Sequence, residues 1–93
     1  MAQLYKADGT IEEFPEPANG TDYSLEEMRA AIGGGWIEAL GLTEGRLMVV
    51  DEEGKLKELS RNEPSTLLWR EMHSSVVDYI CGDALVIEPS QMR

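Results

Sequence analysis

The sequence predicts an α+β domain: a mostly antiparallel mixed sheet with two helices packed on it, in the order β-β-α-β-β-β-α-β. Three observations carry this prediction. Short apolar runs recur between turns rich in Gly and Asp. Ser24 with Glu27, and Asn62 with Pro64, are helix-start signals. The strands segregate to one layer and the helices to the other.

Residues 2–7 and 10–14 flank Asp8 and Gly9, and a two-residue Asp-Gly link with both positions at φ > 0 predicts a tight hairpin. Pro15 and Pro17 end its second strand. Ser24, Leu25, Glu26 and Glu27 form a capping box for a helix over residues 25–32, with Leu25, Met28 and Ile32 as its core stripe and Tyr23 as a staple before the cap. Gly33, Gly34 and Gly35 follow the helix and precede a strand. They therefore read as a left-handed cap and a close strand approach, not as a phosphate cradle at a helix N-terminus.

Residues 36–42 form the next strand, and because neither face is wholly polar it is central or presents its second face to a partner. Trp36, Glu38 and Leu40 share one face, Ile37 and Ala39 the other. Gly41 and residues 43–45 close it with a turn. Residues 46–51 contain the most apolar run, Leu47 to Val50, which must be buried on both faces or lie in a dimer seam. Asp51, Glu52, Glu53 and Gly54 form a turn with Gly54 left-handed, leading to a weakly patterned edge strand over residues 55–59 guarded by lysines.

Asn62 caps the second helix, with Pro64 in its first turn. Ser65, Leu68, Trp69, Met72 and Val76 make one face of it, read as core, with a partner groove as the alternative for its Met and Trp side chains. Residues 77–80 are extended, Gly82 and Asp83 turn, residues 84–88 close the sheet, and residues 90–93 are frayed. Residues 1–93 thus read as one domain, large enough to bury roughly 60–65% of its unfolded surface.

The chain has 18 acidic and 8 basic residues, a formal net charge of -10. From Asp8 through Met28 there are seven acids and no Lys or Arg. Such a surface repels phosphate, which argues against direct nucleic-acid or anionic-membrane binding and favours a basic partner. Cys81 is the one cysteine. A reducing, cytoplasmic setting is expected, as no apolar run is long enough for a membrane helix.

No catalytic, cofactor-binding or metal-binding residues are assigned. His73 and Cys81 are the one residue of each kind, and Asp78 and Asp83 beside Cys81 disfavour a thiolate. Asp51, Glu52 and Glu53 lack the spacing of a calcium loop and read as a solvated turn. Lys55, Lys57, Arg61 and Arg70 form a basic stretch on an acidic chain. They either make an anion site or pair with Glu58, Glu63 and Glu71.

Several short matches in order resemble one family: Asp8-Gly9-Thr10, Tyr23-Ser24-Leu25-Glu26-Glu27, and Gly34-Gly35 followed by an aromatic and Ile37-Glu38. Further on come Asp51-Glu52-Glu53-Gly54-Lys55-Leu56, Asn62 with Thr66, and Gly82-Asp83-Ala84-Leu85-Val86. Together they resemble the small domains of unknown function 3846 encoded by phages, plasmids and other mobile elements. That family often has a proline near the position of Ser60, whereas here Pro64 follows Asn62. The resemblance implies a mobile-element origin and an accessory role, and it supplies no catalytic residues.

The expected function is non-enzymatic binding to a host or phage protein through Trp36, Glu38, Glu12, Glu13 and Glu16, without a cofactor. One alternative is an acidic nucleic-acid mimic that inhibits a defence nuclease. Another is a nucleotide-binding sponge at a subunit interface, with Arg61, Lys57 and the glycine turn as its phosphate site. Self-association into a homo-oligomer is expected, because so small a core leaves little room for the Leu47 to Val50 run and two tryptophans.

Overall fold

The computed structural model describes residues 2–71, 73 and 78–92. Its strands are β1 (Gln3–Tyr5), β2 (Ile11–Glu13), β3 (Ile37–Gly41), β4 (Leu47–Asp51) and β5 (Ala84–Ile87), and its helices are α1 (Leu25–Ala31) and α2 (Glu63–Arg70). The strands form one antiparallel sheet in the order β2-β1-β5-β4-β3. This is the predicted α+β class, with one strand fewer than the sequence suggested.

β5, not β3, is the centre of the sheet. Ala84, Leu85, Val86 and Ile87 are all buried, and they pair with β1 on one side and β4 on the other. β3 is an edge strand, and its apolar residues serve both faces: half-buried Ile37 packs on the Met28 and Val49 cluster, half-buried Leu40 on the Met48 and Val50 cluster. The helices do not share a layer. Met28 and Ile32 cover Val49, Leu85 and Ile87 on one face, while Leu68 and Trp69 cover Met48, Val50, Ala84 and Val86 on the other. Alternation along β4 and β5 supplies both sets, so Met48, Val49 and Val50 are buried within a single chain. The apolar run therefore gives no reason of its own for a dimer seam.

The capping box forms as read: Ser24 Oγ accepts the Glu27 amide at 3.1 Å, and Glu27 Oε1 accepts the Ser24 amide at 2.9 Å. Leu25 is not core. It is 45% exposed, because fully buried Tyr23 fills that end of the helix and donates its hydroxyl to the Pro15 carbonyl at 2.6 Å. At the hairpin only Gly9 has positive φ. The loop closes through Lys6 N–H to Thr10 O and Gly9 N–H to Lys6 O, with Asp8 Oδ1 accepting from Thr10, which replaces the two-residue mirror turn.

Residues 55–59 are not a strand. The Lys57, Glu58 and Leu59 amides donate back to Glu53, Lys55 and Gly54 carbonyls, a run of local turns that ends with Glu58 at φ 57°. With Leu56 exposed and no alternating apolar face, nothing offsets pairing these residues with a sheet. Gly54 does not have the predicted left-handed backbone. Its role is close approach, since a Cβ there would lie 2.7 Å from the Cys81 carbonyl oxygen.

α2 starts as predicted. Asn62 Oδ1 accepts the Ser65 amide at 3.1 Å, and Ser65 and Thr66 are buried. Met72, Val76 and Val77 lie outside the described residues. The tail is ordered through Met92: Pro89–Gln91 forms a 3-10 turn, Gln91 is buried, and its carbonyl accepts the Tyr23 amide at 2.8 Å. Arg93 lies outside the described residues.

Candidate functional site

The α2 side of the sheet is covered over only part of its width. Beyond Trp69, a cleft of about 530 Å³ opens between Glu38 and Leu40 of β3, Val50 of β4, the turns after β4, and the loop from Asp78 to Cys81. The turn segment stands beside the sheet because Gly54 packs on the Cys81 carbonyl. A second tie is the Arg61 to Cys81 bridge, with the Asn62 amide donating to Ile80 O at 2.7 Å.

The ladder between β3 and β4 fixes which groups face the cleft. Glu38 pairs with Val50 and Leu40 with Met48, and the Glu52 amide extends the ladder by donating to Trp36 O at 2.9 Å. Residues of equal parity share a face, so Glu38, Leu40, Val50 and Glu52 point to the same side. Among the described residues neither Glu38 nor Glu52 has an ion-pair or hydrogen-bond partner for its carboxylate. Leu56, at 81% exposure, stands at the rim.

The basic stretch does not form one free cationic patch. Lys57 donates to Asp51 at 2.8 Å. Lys55 is bonded to Asp78 and lies 4.6 Å from the Tyr79 ring centroid, while Arg61 Cζ is 4.8 Å from the same ring with its Nε 2.9 Å from Glu63. Arg70 Nε and Nη2 both donate to the Asp78 carbonyl. Lys55, Arg61 and Arg70 thus gather around Asp78 and Tyr79, and Lys57 sits apart beneath Gly35. Of the pairings weighed in the sequence, that with Glu63 forms; Asp51 and Asp78 take the other roles. Within the chain Lys57 lies against the glycine turn, whereas Arg61 lies at Tyr79 and Glu63.

The acidic candidates are also divided. Glu12 and Glu13 lie on β2 and Glu38 on β3, at opposite edges of the sheet. Glu16 is exposed beyond β2. Trp36, 60% exposed, does not line the cleft; Arg29 Cζ is 4.8 Å from its ring, and Arg29 Nε donates to Gly35 O. His73 Nε2 lies 3.3 Å from Gly41 O, and buried Cys81 lines the cleft. No His73–Cys81 hydrogen bond occurs among the described residues.

Asp51 is the titratable group of note. Burial raises its carboxyl, but the Lys57 hydrogen bond, the Glu53 amide and the Lys57 charge outweigh that, holding it below the usual value. Glu52, Leu56 and Tyr79 carry no partner-binding signal in the sequence. Trp69 is legible in the sequence as core first and as part of a partner groove second, and the cleft joins stretches far apart in the chain.

The model of a domain of unknown function, DUF3846, matches residues 6–92. The chain belongs to the DUF3846 family. The match takes in every cleft residue of this DUF3846 domain and both edges of its sheet. No curated protein and no solved structure matches the chain. Among the described residues, no group of three or more His, Cys, Asp or Glu side chains is placed to hold a metal, and no helix is long and apolar enough to cross a membrane.

Proposed function

We propose that this DUF3846 protein is a non-enzymatic protein-binding module that engages its partner through the cleft and the adjoining β3 edge. The observation that carries the reading is that Glu38 and Glu52, at a cleft whose rim also exposes Leu56, have no carboxylate partner among the described residues. An apolar surface rimmed by charge is the usual composition of a protein contact, and aromatic Trp69 and Tyr79 suit its interior. In the mobile-element setting implied by the family resemblance, the partner is a host or phage protein.

The test compares capture from host lysate by three immobilised forms: wild type, Trp36→Ala, and a Glu38→Lys/Glu52→Lys double variant shown by circular dichroism to be folded. The reading expects a protein retained by the first two and lost from the third. Equal capture by all three contradicts it.

A further inference from the structure

We infer that the occupant of this site is an extended basic segment of the partner, added as a sixth strand along β3 with a Lys or Arg side chain set between Glu38 and Glu52. The inference rests on the protein-binding reading and names the partner's chemistry.

Two independent features lead to it. The first is the backbone. Glu52 N–H to Trp36 O and Leu42 N–H to Arg46 O are both ladder bonds to the β4 side. Strand groups alternate in direction, so the amides and carbonyls of Glu38 and Leu40 also point to β4, whereas those of Ile37 and Ala39 point away from the sheet. Among the described residues no strand pairs with that outer side. At Gly41 it is already met by His73, which marks one end of the available edge.

The second feature is charge. A residue of an added strand lying opposite Glu38 places its side chain on the cleft face. There it meets Glu38 directly, and Glu52 lies diagonally across the β3–β4 ladder from Glu38 at a Cβ separation of about 7 Å, so a long cationic side chain leaning over β3 approaches both carboxylates. Next along, Leu40 favours an apolar residue or the stem of a long side chain. The net charge of -10 steers a basic segment to the protein and opposes edge-to-edge pairing with a second copy. β2, the other edge, is less suited: it is only three residues long, and Glu12 already lies 4.0 Å from Lys6.

The probe is an acetylated, amidated (Lys-Thr)4 peptide, which presents all its ammonium groups on one face when extended. Its controls are (Glu-Thr)4 and a (Lys-Thr)4 peptide N-methylated at alternate amides, which keeps the charge but cannot form the ladder. Binding is read by amide chemical shifts and Trp fluorescence. The expected result is binding of (Lys-Thr)4, with shifts at Ile37 and Ala39.

N-methylation should weaken binding at least about tenfold, as should Ala39→Pro, whose lost N–H serves no bond to β4. Glu38→Gln/Glu52→Gln should weaken it about fivefold. Equal binding of the N-methylated peptide reduces the effect to non-directional charge attraction and overturns the inference. So does a concentration-dependent dimer abolished by Ala39→Pro, which would make a second copy the occupant. If the peptide fails while lysate capture still depends on Glu38 and Glu52, the occupant is wrong and the binding reading stands. Capture independent of both residues removes the two together.

Discussion

Lys57 donates to Asp51 at 2.8 Å directly beneath Gly35, so one ion pair joins the turns after β4 to the glycine turn that feeds β3. The Asp51 side chain is 4% exposed and also accepts the Glu53 amide at 2.8 Å, while Lys57 is about half in solvent. Lys57→Ala should therefore destabilise the fold by about 1–2 kcal/mol, less than a fully buried pair would cost, because water reaches the vacated side. Urea denaturation measures it.

The same pair sets an acid limit. The Asp51 carboxyl is held below its ordinary value of 3.8 in the folded chain. Its contribution is therefore complete above the unfolded-state pKa and is lost as pH falls through the lower folded one. Wild-type stability should drop below about pH 4, and Asp51→Asn should show a shallower drop over the same window. Parallel pH curves for the two proteins would refute this.

Gly34 and Gly35 separate conformational from steric demand. Both have positive φ, but a Cβ on Gly34 meets nothing within 4 Å, whereas one on Gly35 would lie 2.5 Å from Lys57 Nζ and 2.9 Å from Asp51 Oδ2. Gly34→Ala should cost about 1 kcal/mol, the left-handed penalty alone. Gly35→Ala should cost at least about 1 kcal/mol more, with part of the difference lost in a Lys57→Ala background. Thermal melts of the wild type, the three single variants and the Gly35→Ala/Lys57→Ala double variant decide it.

Asn62 ties α2 to the sheet and to the loop before β5. It is fully buried, donates to Tyr5 O and Gly82 O at 2.8 Å each, and caps α2. Asn62→Ala removes the cap and strands two carbonyls, for an expected loss of about 3 kcal/mol. Trp36→Ala, at a ring whose cation contact is Arg29 in solvent, should cost less than about 1 kcal/mol.

What the sequence disclosed was local. The Ser24 and Asn62 caps depend on partners three residues away, and both formed as read. Residues 55–59 were misread because a Lys-Leu-Lys-Glu-Leu run carries no decisive period, and Gly54 sits where it does for the sake of Cys81, 27 positions on. Which face of the sheet each helix would cover was not legible, because β4 and β5 are apolar on both sides. The cleft was invisible for the same reason that it is specific: Glu38, Glu52, Trp69 and Tyr79 meet only once the strand order is fixed.

The most direct measurement of the central claim is amide hydrogen exchange at Ile37 and Ala39, with and without the (Lys-Thr)4 peptide. The account predicts fast exchange at both amides in the free protein, while Glu38 and Leu40 are protected, and slowing of Ile37 and Ala39 on binding. Protection of Ile37 and Ala39 in the free protein, or peptide-induced slowing confined to Ile11 and Glu13 on β2, would contradict it.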